Sequence, residues 1–259
     1  MSATYTPNVL CFSGHDPSGG AGVQSDIEVL THFNCHPCSV LTCLTVQDSS
    51  TVHRLIPLNP NDLIEQATVL FNDMTIDVIK IGLTGSVECV EAIAHLILQH
   101  PDIPIIFDPV LASGDGTSLA DKQLIESIQK HLLPHVTVLT PNTLEARQLT
   151  GLSSGANIDS LGRSLLDTGV DAALITGGHE SGASVINTLF QHGQAIDKSK
   201  WERLTGEFHG SGCTLATAIA AQIALGRSIS DAIHTAQHYT EHTLKNAVQI
   251  GKGQLFPAR

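Results

Sequence analysis

Short apolar runs alternate with stretches of helical periodicity along nearly the whole chain. The apolar runs are typical of buried strands and lie at residues 8–13, 39–46, 76–82, 103–109, 136–141 and 172–178. Apolar residues at helical spacing predict helices near 23–33, 61–73, 86–99, 120–132, from Thr143, and at 157–168, 212–225 and 228–248. Residues 183–204 predict one or two antiparallel strands at an edge. This alternation favours an α/β fold with a mostly parallel central sheet and helices on both faces.

Glycines and polar residues collect where the predicted strands end. They are Gly14-His15-Asp16, Gln47-Asp48, Gly82-Leu83, Asp108-Pro109, Pro141-Asn142, Gly177-Gly178 and, before a helix, Gly210-Ser211-Gly212. Turns favour the same residue types, so any one of these groups can be explained by a turn alone. In sheets of this kind, however, ligands bind beyond the carboxyl ends of the strands. The whole set therefore predicts a binding site on one rim of the sheet.

Composition and charge narrow the classes of function. A chain of 259 residues fits one domain over residues 1–259, and a content of 42% hydrophobic and 15% charged residues is far from that of a disordered protein. The 25 acidic residues outnumber 13 basic ones, which argues against nucleic-acid binding. Without an apolar run of about 20 residues we expect no membrane span, and without a signal segment we expect a cytoplasmic protein. The six cysteines lie mostly in apolar runs, where a reduced thiol is a small hydrophobe.

Several familiar motifs can be set aside. The chain contains no GxxxxGK[ST], GxGxxG, GxSxG or HExxH. The pair Cys35 and Cys38 follows a helix, whereas a reactive thiol needs the start of one. His234, His238 and His242 recur on one helix, but the first and third are about 12 Å apart along its axis, too far for one ion. We expect these histidines to form an exposed polar face.

The stretch Gly210-Ser211-Gly212-Cys213 carries the most specific chemistry. Its N–H groups are predicted to open a helix, where free amides and the helix dipole bind phosphate. Such a group of amides stabilises the charge that develops on a migrating phosphoryl group. Cys213 can be read in two ways: as a thiol of lowered pKa that accepts an alcohol proton, or as a small packing residue beside the working amides.

Taken in order, the motifs resemble one family. GHDPSGGAGVQSD, TVQD, KIGLTGS, DPV, TPNTLEA, TGGH and GSGCTLATAIA follow one another between about residues 8 and 250. This order resembles the hydroxymethylpyrimidine kinase / phosphomethylpyrimidine kinase family of thiamine biosynthesis, within the ribokinase-like superfamily. The resemblance implies a ribokinase-like fold, ATP and Mg²⁺ as cofactors, and commonly a homodimer. It also implies phosphorylation of 4-amino-5-hydroxymethyl-2-methylpyrimidine and then of its monophosphate.

The resemblance also assigns roles to residues on the acceptor side. Gly14, Asp26 and Gln47 match positions that hold the pyrimidine, and Leu83 would pack on its ring. A carboxylate and an amide suit the donors and acceptors on the edge of an aminopyrimidine.

On the nucleotide side, the assignments fall at three later strand ends. Asn142 and Glu145 match an element that orders Mg²⁺ and phosphate oxygens, and Asp108 is a second acidic candidate for the metal. Thr176 and Gly178 would lie against the phosphates. Catalysis would rest on Gly210, Ser211, Gly212 and Cys213, with Cys213 at the position of the catalytic base.

The chain departs from its relatives in having fewer basic residues near these motifs. It lacks the lysine that relatives often carry after Asp108-Pro109-Val110, and Thr176 stands where some relatives have lysine. Glu207 and Phe208 replace a usual asparagine-threonine pair. The smaller number of basic residues would affect a second phosphorylation most, because its acceptor is anionic. Two alternatives therefore stay open, a pyridoxal or pyridoxine kinase on the same scaffold and a non-catalytic pyrimidine-binding protein.

Overall fold

Nine strands form one continuous sheet in the computed structural model, which describes residues 5–259. The strands are β1 (Asn8–His15), β2 (His36–Gln47), β3 (Val52–Pro57), β4 (Val78–Ile81), β5 (Ile105–Phe107), β6 (Val138–Leu139), β7 (Ala172–Ile175), β8 (Ser184–Gln191) and β9 (Gln194–Glu202). Their order across the sheet is β3-β2-β1-β4-β5-β6-β7-β8-β9. The six strands from β2 to β7 in that order are parallel, and β3, β8 and β9 pair antiparallel at the two edges. All the parallel strands therefore end on the same rim.

Eight α-helices connect and cover these strands in residues 5–259. They are α1 (Gly22–His32), α2 (Pro60–Asp73), α3 (Val87–Ile97), α4 (Lys122–His131), α5 (Thr143–Thr150), α6 (Ile158–Leu166), α7 (Ser211–Ala224) and α8 (Ile229–Lys245). Side chains of Ser86, Asp121, Asn157 and Ser228 cap the starts of α3, α4, α6 and α8, because each accepts a bond from an otherwise unpaired amide.

Two apolar layers hold the helices against the sheet. Alternate residues of β1 point to opposite faces, as the two-residue period of a strand requires. Leu10 and Phe12 pack with α2 to α6, whereas Val9 and Cys11 pack with α1, α7 and α8. The prediction of a mostly parallel α/β sheet with helices on both faces is thus confirmed. A single domain over residues 1–259 stays a prediction, of which residues 1–4 lie outside the described range.

The sequence-based map of elements has one clear omission. Strand β3 was not expected, because Val52–Pro57 alternates weakly and leaves most of its side chains partly or fully exposed. The edge strands predicted in 183–204 are confirmed as the β8–β9 hairpin. The histidines at 234, 238 and 242 are exposed, as expected, and all six thiols are free. No helix in residues 5–259 has the length and apolar character needed to traverse a bilayer.

Candidate active site at the carboxyl ends of the strands

The start of α7 presents unpaired amides to the rim of the sheet. Gly210 precedes the helix in the left-handed conformation, with φ 75°, and no side chain caps this end. The N–H groups of Ser211, Gly212 and Cys213 therefore point out of the first turn without an intrahelical acceptor. A β-carbon on Gly210 would overlap the carbonyl oxygen of Gly20, so only glycine fits where the two loops meet. The helix start thus has free amides and a required glycine, and anion binding there stays a prediction.

One acidic side chain, Asp108, lies beside these amides, and a second, Glu145, is coupled to it. Asp108 follows β5 directly, and its Oδ2 lies 3.4 Å from the position of a β-carbon on Gly212. Burial raises the pKa of Asp108 to about 6, although Lys80 opposes the rise. Burial and the charge of Asp108 together raise the pKa of Glu145 to about 8. A nearby cation favours the charged form of a carboxyl group, so a metal ion bound at this pair would oppose both rises.

The first turn of α5 positions Glu145. Asn142 caps this helix by accepting hydrogen bonds from the amides of Leu144 and Glu145, each at 2.9 Å. In return, the carboxylate of Glu145 accepts from the amide of Asn142 at 2.8 Å. This reciprocal capping box fixes both side chains. The carbonyl-type oxygen of Asn142 is consumed by the helix, so only its NH₂ group is left to meet a ligand.

The loop after β7 is held from two directions. The amide of Thr176 donates to Pro141, and that of Gly177 donates to the side chain of Asn187 at 3.1 Å. Both N–H groups are therefore occupied within the protein, whereas no atom lies within 4 Å of a β-carbon placed on Gly178. The Arg203 guanidinium donates to the carbonyls of Gly178, Glu180 and Gly182. If this loop contacts phosphates, Gly178 has the free surface for it.

Cys213 differs from the expectation of a lowered pKa. Burial raises the pKa of its thiol to about 12, and the charge of Lys80 offsets only part of that rise. The charges of Asp108 and Asp26 act in the same direction as burial. A thiol of this pKa keeps its proton at neutral pH, so the prediction that the helix start lowers the pKa is wrong for this structure. Burial is the largest cause of the rise.

Gly14 and Leu83 come together on the acceptor side of the rim. A β-carbon on Gly14 would lie 2.9 Å from Sγ of Cys43 and 3.2 Å from Cδ2 of Leu83. The loop that carries Leu83 is fixed by Thr42, whose hydroxyl donates to the carbonyl of Leu83 at 2.5 Å. Gln47 ends the neighbouring strand β2 and is half-buried. Its amide makes no hydrogen bond to another side chain within residues 5–259, so it is free to bind a ligand.

Asp26 is placed differently from the expectation of a direct pyrimidine contact. Its side chain is fully buried, and Lys80 Nζ lies 2.9 Å from Oδ1. Thr217 also donates to Oδ1 at 2.6 Å, and Ser13 donates to Oδ2. With both oxygens engaged and no exposed surface, the carboxylate cannot reach a ligand in this arrangement. Asp26 instead forms a buried ion pair with Lys80 beneath the rim.

Asp16 connects the glycine-rich turn to the loop before α7. Its carboxylate accepts hydrogen bonds from Ser18 and from the amide of Ala21, and His209 Nε2 lies 2.8 Å from Oδ2. Burial would raise the pKa of Asp16, but the bonds from His209 and Ser18 lower it to about 2. A β-carbon on Gly20 would overlap the ring of His209. The two loops thus pack as one unit.

Sequence reasoning missed four residues that shape this rim. They are Lys80, Asp16, His209 and Arg259. Lys80 could have been identified from the sequence, since it is the only charged residue between Val78 and Gly82 in an apolar strand. A charge buried in a strand needs a partner. Asp16 lies inside the first quoted motif and His209 directly precedes the last, but their pairing spans 193 residues. Nothing in the sequence links Arg259 to the site.

Comparison with known proteins agrees with this geometry. The family model described as phosphomethylpyrimidine kinase matches residues 16–257. A hydroxymethylpyrimidine/phosphomethylpyrimidine kinase of Synechococcus elongatus is 37% identical over 251 residues, covering 96% of this chain and 95% of that protein.

Two solved structures extend the likeness to the fold. The phosphomethylpyrimidine kinase of Clostridium difficile has a TM-score of 0.81 at 28% identity and covers 92% of this chain and 100% of its own. The pyridoxal kinase of Staphylococcus aureus in complex with AMP-PCP has a TM-score of 0.87 at 26% identity and covers 98% and 93%. The sheet order, the open amides at α7 and the match over nearly the whole chain lead to one conclusion: this protein belongs to the phosphomethylpyrimidine kinase family.

Proposed function

We propose that this protein transfers the γ-phosphoryl group of ATP to the hydroxymethyl group of 4-amino-5-hydroxymethyl-2-methylpyrimidine, and then phosphorylates the monophosphate. The observation that carries the proposal is the open first turn of α7 with Asp108 beside it. Amides fixed before the reaction need no reorganisation when charge develops on the migrating group. Phosphoryl transfer needs mainly such positioning and charge neutralisation.

Mg²⁺ fits the acidic pair of this rim. Asp108 and Glu145 are both buried, and the charge of Asp108 raises the pKa of Glu145. Residues 5–259 hold no cluster of three or more side chains that would make a protein-only metal cage. That agrees with Mg²⁺, which usually binds one or two carboxylates and takes its other ligands from phosphates and water. The ion would neutralise phosphate charge in a chain that has few basic side chains there.

On the acceptor side, Gln47 is the group that reads the pyrimidine. Its free amide can donate and accept at once, which matches the edge of an aminopyrimidine. Leu83 lies against Gly14 and is partly exposed, so its side chain can pack on a ring. Asp26, which is engaged by Lys80, makes no direct contact with the pyrimidine in this proposal. Homodimer formation, which rests on the family resemblance, and a cytoplasmic location belong to the same proposal.

The decisive experiment is a substrate panel with ATP and Mg²⁺. The hydroxymethylpyrimidine, its monophosphate, pyridoxal and pyridoxine are offered in turn, and ADP release is measured with the mass of each product. We expect the highest kcat/KM with the two pyrimidines. A higher value with pyridoxal would assign the protein to the alternative activity, and pyrimidine binding without turnover would make it a non-catalytic binding protein.

A pair of glutamine variants tests the role of Gln47. Gln47→Met removes the hydrogen-bonding amide at similar size, and we expect kcat/KM for the pyrimidine to fall at least about tenfold, because the edge of the ring loses its partner. Gln194→Met is the matched control, since Gln194 is exposed on the edge strand β9. Equal activity of both variants would exclude Gln47 from pyrimidine recognition.

A further inference from the structure

The segment after α8 packs directly against the loop that leads into α7. Leu255 donates its amide to Glu207 at 2.8 Å, and His209 donates to Leu255 at 2.9 Å. The ring of Phe256 lies 2.9 Å from the β-carbon position of Gly20. The segment therefore touches both the anion-binding loop and the glycine-rich turn, which are far from it in sequence.

Arg259 in this segment joins three elements through one guanidinium. Its Nη2 donates to the carbonyl of Gly20 at 2.5 Å, and its Nε donates to the hydroxyl of Thr214 at 2.9 Å. Its Nη1 donates to Glu28 on α1 at 3.0 Å. The Arg259 side chain is only 2% exposed, whereas that of Glu28 is 54% exposed. A planar group with donors on several sides suits this geometry, and a lysine ammonium does not.

Two of these bonds fix Gly210, which precedes the free amides of Ser211, Gly212 and Cys213. Thr214, which accepts from Arg259, donates its hydroxyl to the carbonyl of Gly210 at 2.8 Å. The carbonyl of Gly20, held by Arg259 from the other side, lies against the α-carbon of Gly210. Arg259 thereby restrains Gly210 from both sides, and the direction of the following amides depends on the backbone of Gly210.

We propose that Arg259 is a positioning residue for phosphoryl transfer, acting as a clamp that fixes the amides of Ser211, Gly212 and Cys213 relative to the glycine-rich turn. It rests on the proposed kinase function. Arg259 acts through Thr214 and Gly20, and its geometry matters rather than its charge alone. In this proposal Arg259, from the segment after α8, completes the group of free amides at the start of α7.

The first test compares Arg259→Met and Arg259→Lys with Glu28→Gln. A displacement of the amides costs between about 10- and 100-fold in rate, and we expect losses of that size in kcat for both Arg259 variants, with KM for the pyrimidine within about twofold of wild type. Glu28→Gln leaves the bonds to Gly20 and Thr214 in place and should keep wild-type kcat. A wild-type kcat in Arg259→Lys would overturn the clamp, because charge alone would then suffice.

A second variant keeps the proposal falsifiable if Arg259→Met does not fold. Thr214→Val preserves shape but breaks the link from Arg259 to Gly210, and it should lower kcat in the same range while leaving KM for the pyrimidine near wild type. Full activity of Thr214→Val would also overturn the clamp. The wild-type enzyme is assayed in the same series: if it lacks kinase activity, the proposed function itself fails, whereas active wild type with active variants refutes only the role of Arg259.

Discussion

The buried pair of Lys80 and Asp26 gives the sharpest prediction about stability. Both side chains are 0% exposed, and Nζ lies 2.9 Å from Oδ1. Burial alone would lower the pKa of Lys80, but the charge of Asp26 raises it above its ordinary value. Lys80→Met removes the cation and leaves the carboxyl group of Asp26 buried and without a counter-ion.

The expected size of the effect follows from that burial. Removing one partner of a buried ion pair costs about 3–5 kcal/mol. For a chain of this size each kcal/mol lowers Tm by about 2–4 °C, so we expect Lys80→Met to melt about 6–20 °C below wild type. Thermal unfolding followed by circular dichroism at pH 7 measures this shift.

Two controls separate the buried charge from a general effect of losing lysine. Lys122→Met breaks the surface pair with Glu126, whose side chains are 89% and 59% exposed, and it should leave Tm near wild type. The double variant Lys80→Met with Asp26→Asn removes the uncompensated charge and should melt higher than Lys80→Met alone. If Lys80→Met melts together with Lys122→Met, the buried pair has no stabilising role and the reasoning fails.

Three further predictions concern the rim. Cys213→Ala should lower kcat less than about tenfold, because a thiol whose pKa is raised to about 12 holds its proton at neutral pH; a loss of several orders of magnitude in steady-state assays would restore the thiol as the base. Gly210→Ala should abolish most activity, since its β-carbon would overlap Gly20 at a φ of 75°, whereas Gly155→Ala, with no atom within 4 Å, should keep it. The pKa of Asp16 is lowered from 3.8 to about 2, so its stabilisation is present above pH 3.8 and is lost as the pH falls toward 2. Urea midpoints of Asp16→Asn should therefore be lower than wild type at pH 7 and approach it at about pH 2; an equal difference at both values would contradict the assigned pair with His209.

The chemistry of Cys213 shows where local sequence and tertiary structure diverge. The stretch Gly210 to Cys213 predicts a helix start with free amides, and the structure has one. The same stretch predicted a lowered thiol pKa, and that was wrong. The pKa is raised chiefly by burial, and the charges that also act on it, those of Lys80, Asp108 and Asp26, lie more than a hundred residues away in sequence but close in the fold. Electrostatics act through space, and a local motif contains no information about which distant charges arrive.

The secondary-structure elements and the residues at the strand ends could be predicted from the sequence because both depend on local patterns. Apolar runs, helical spacing and strand-end glycines act within a few residues, so they predicted the parallel sheet and the edge where Gly14, Asp108, Asn142 and Gly210 lie. Strand β3 was not predicted because its stability comes from pairing with β2 rather than from an alternation of apolar and polar residues of its own. Its side chains are half-exposed, and no periodic face marks them.

What the sequence by itself determined is the α/β order and the set of residue types on one rim. Only the tertiary structure decided that Asp26 is engaged by Lys80, Ser13 and Thr217, and that Arg259 reaches back to hold Gly210 through Thr214. Hydrogen bonds and ion pairs reach only a few ångströms, so their partners are chosen by packing. Packing in turn follows from how the whole chain buries its two apolar layers.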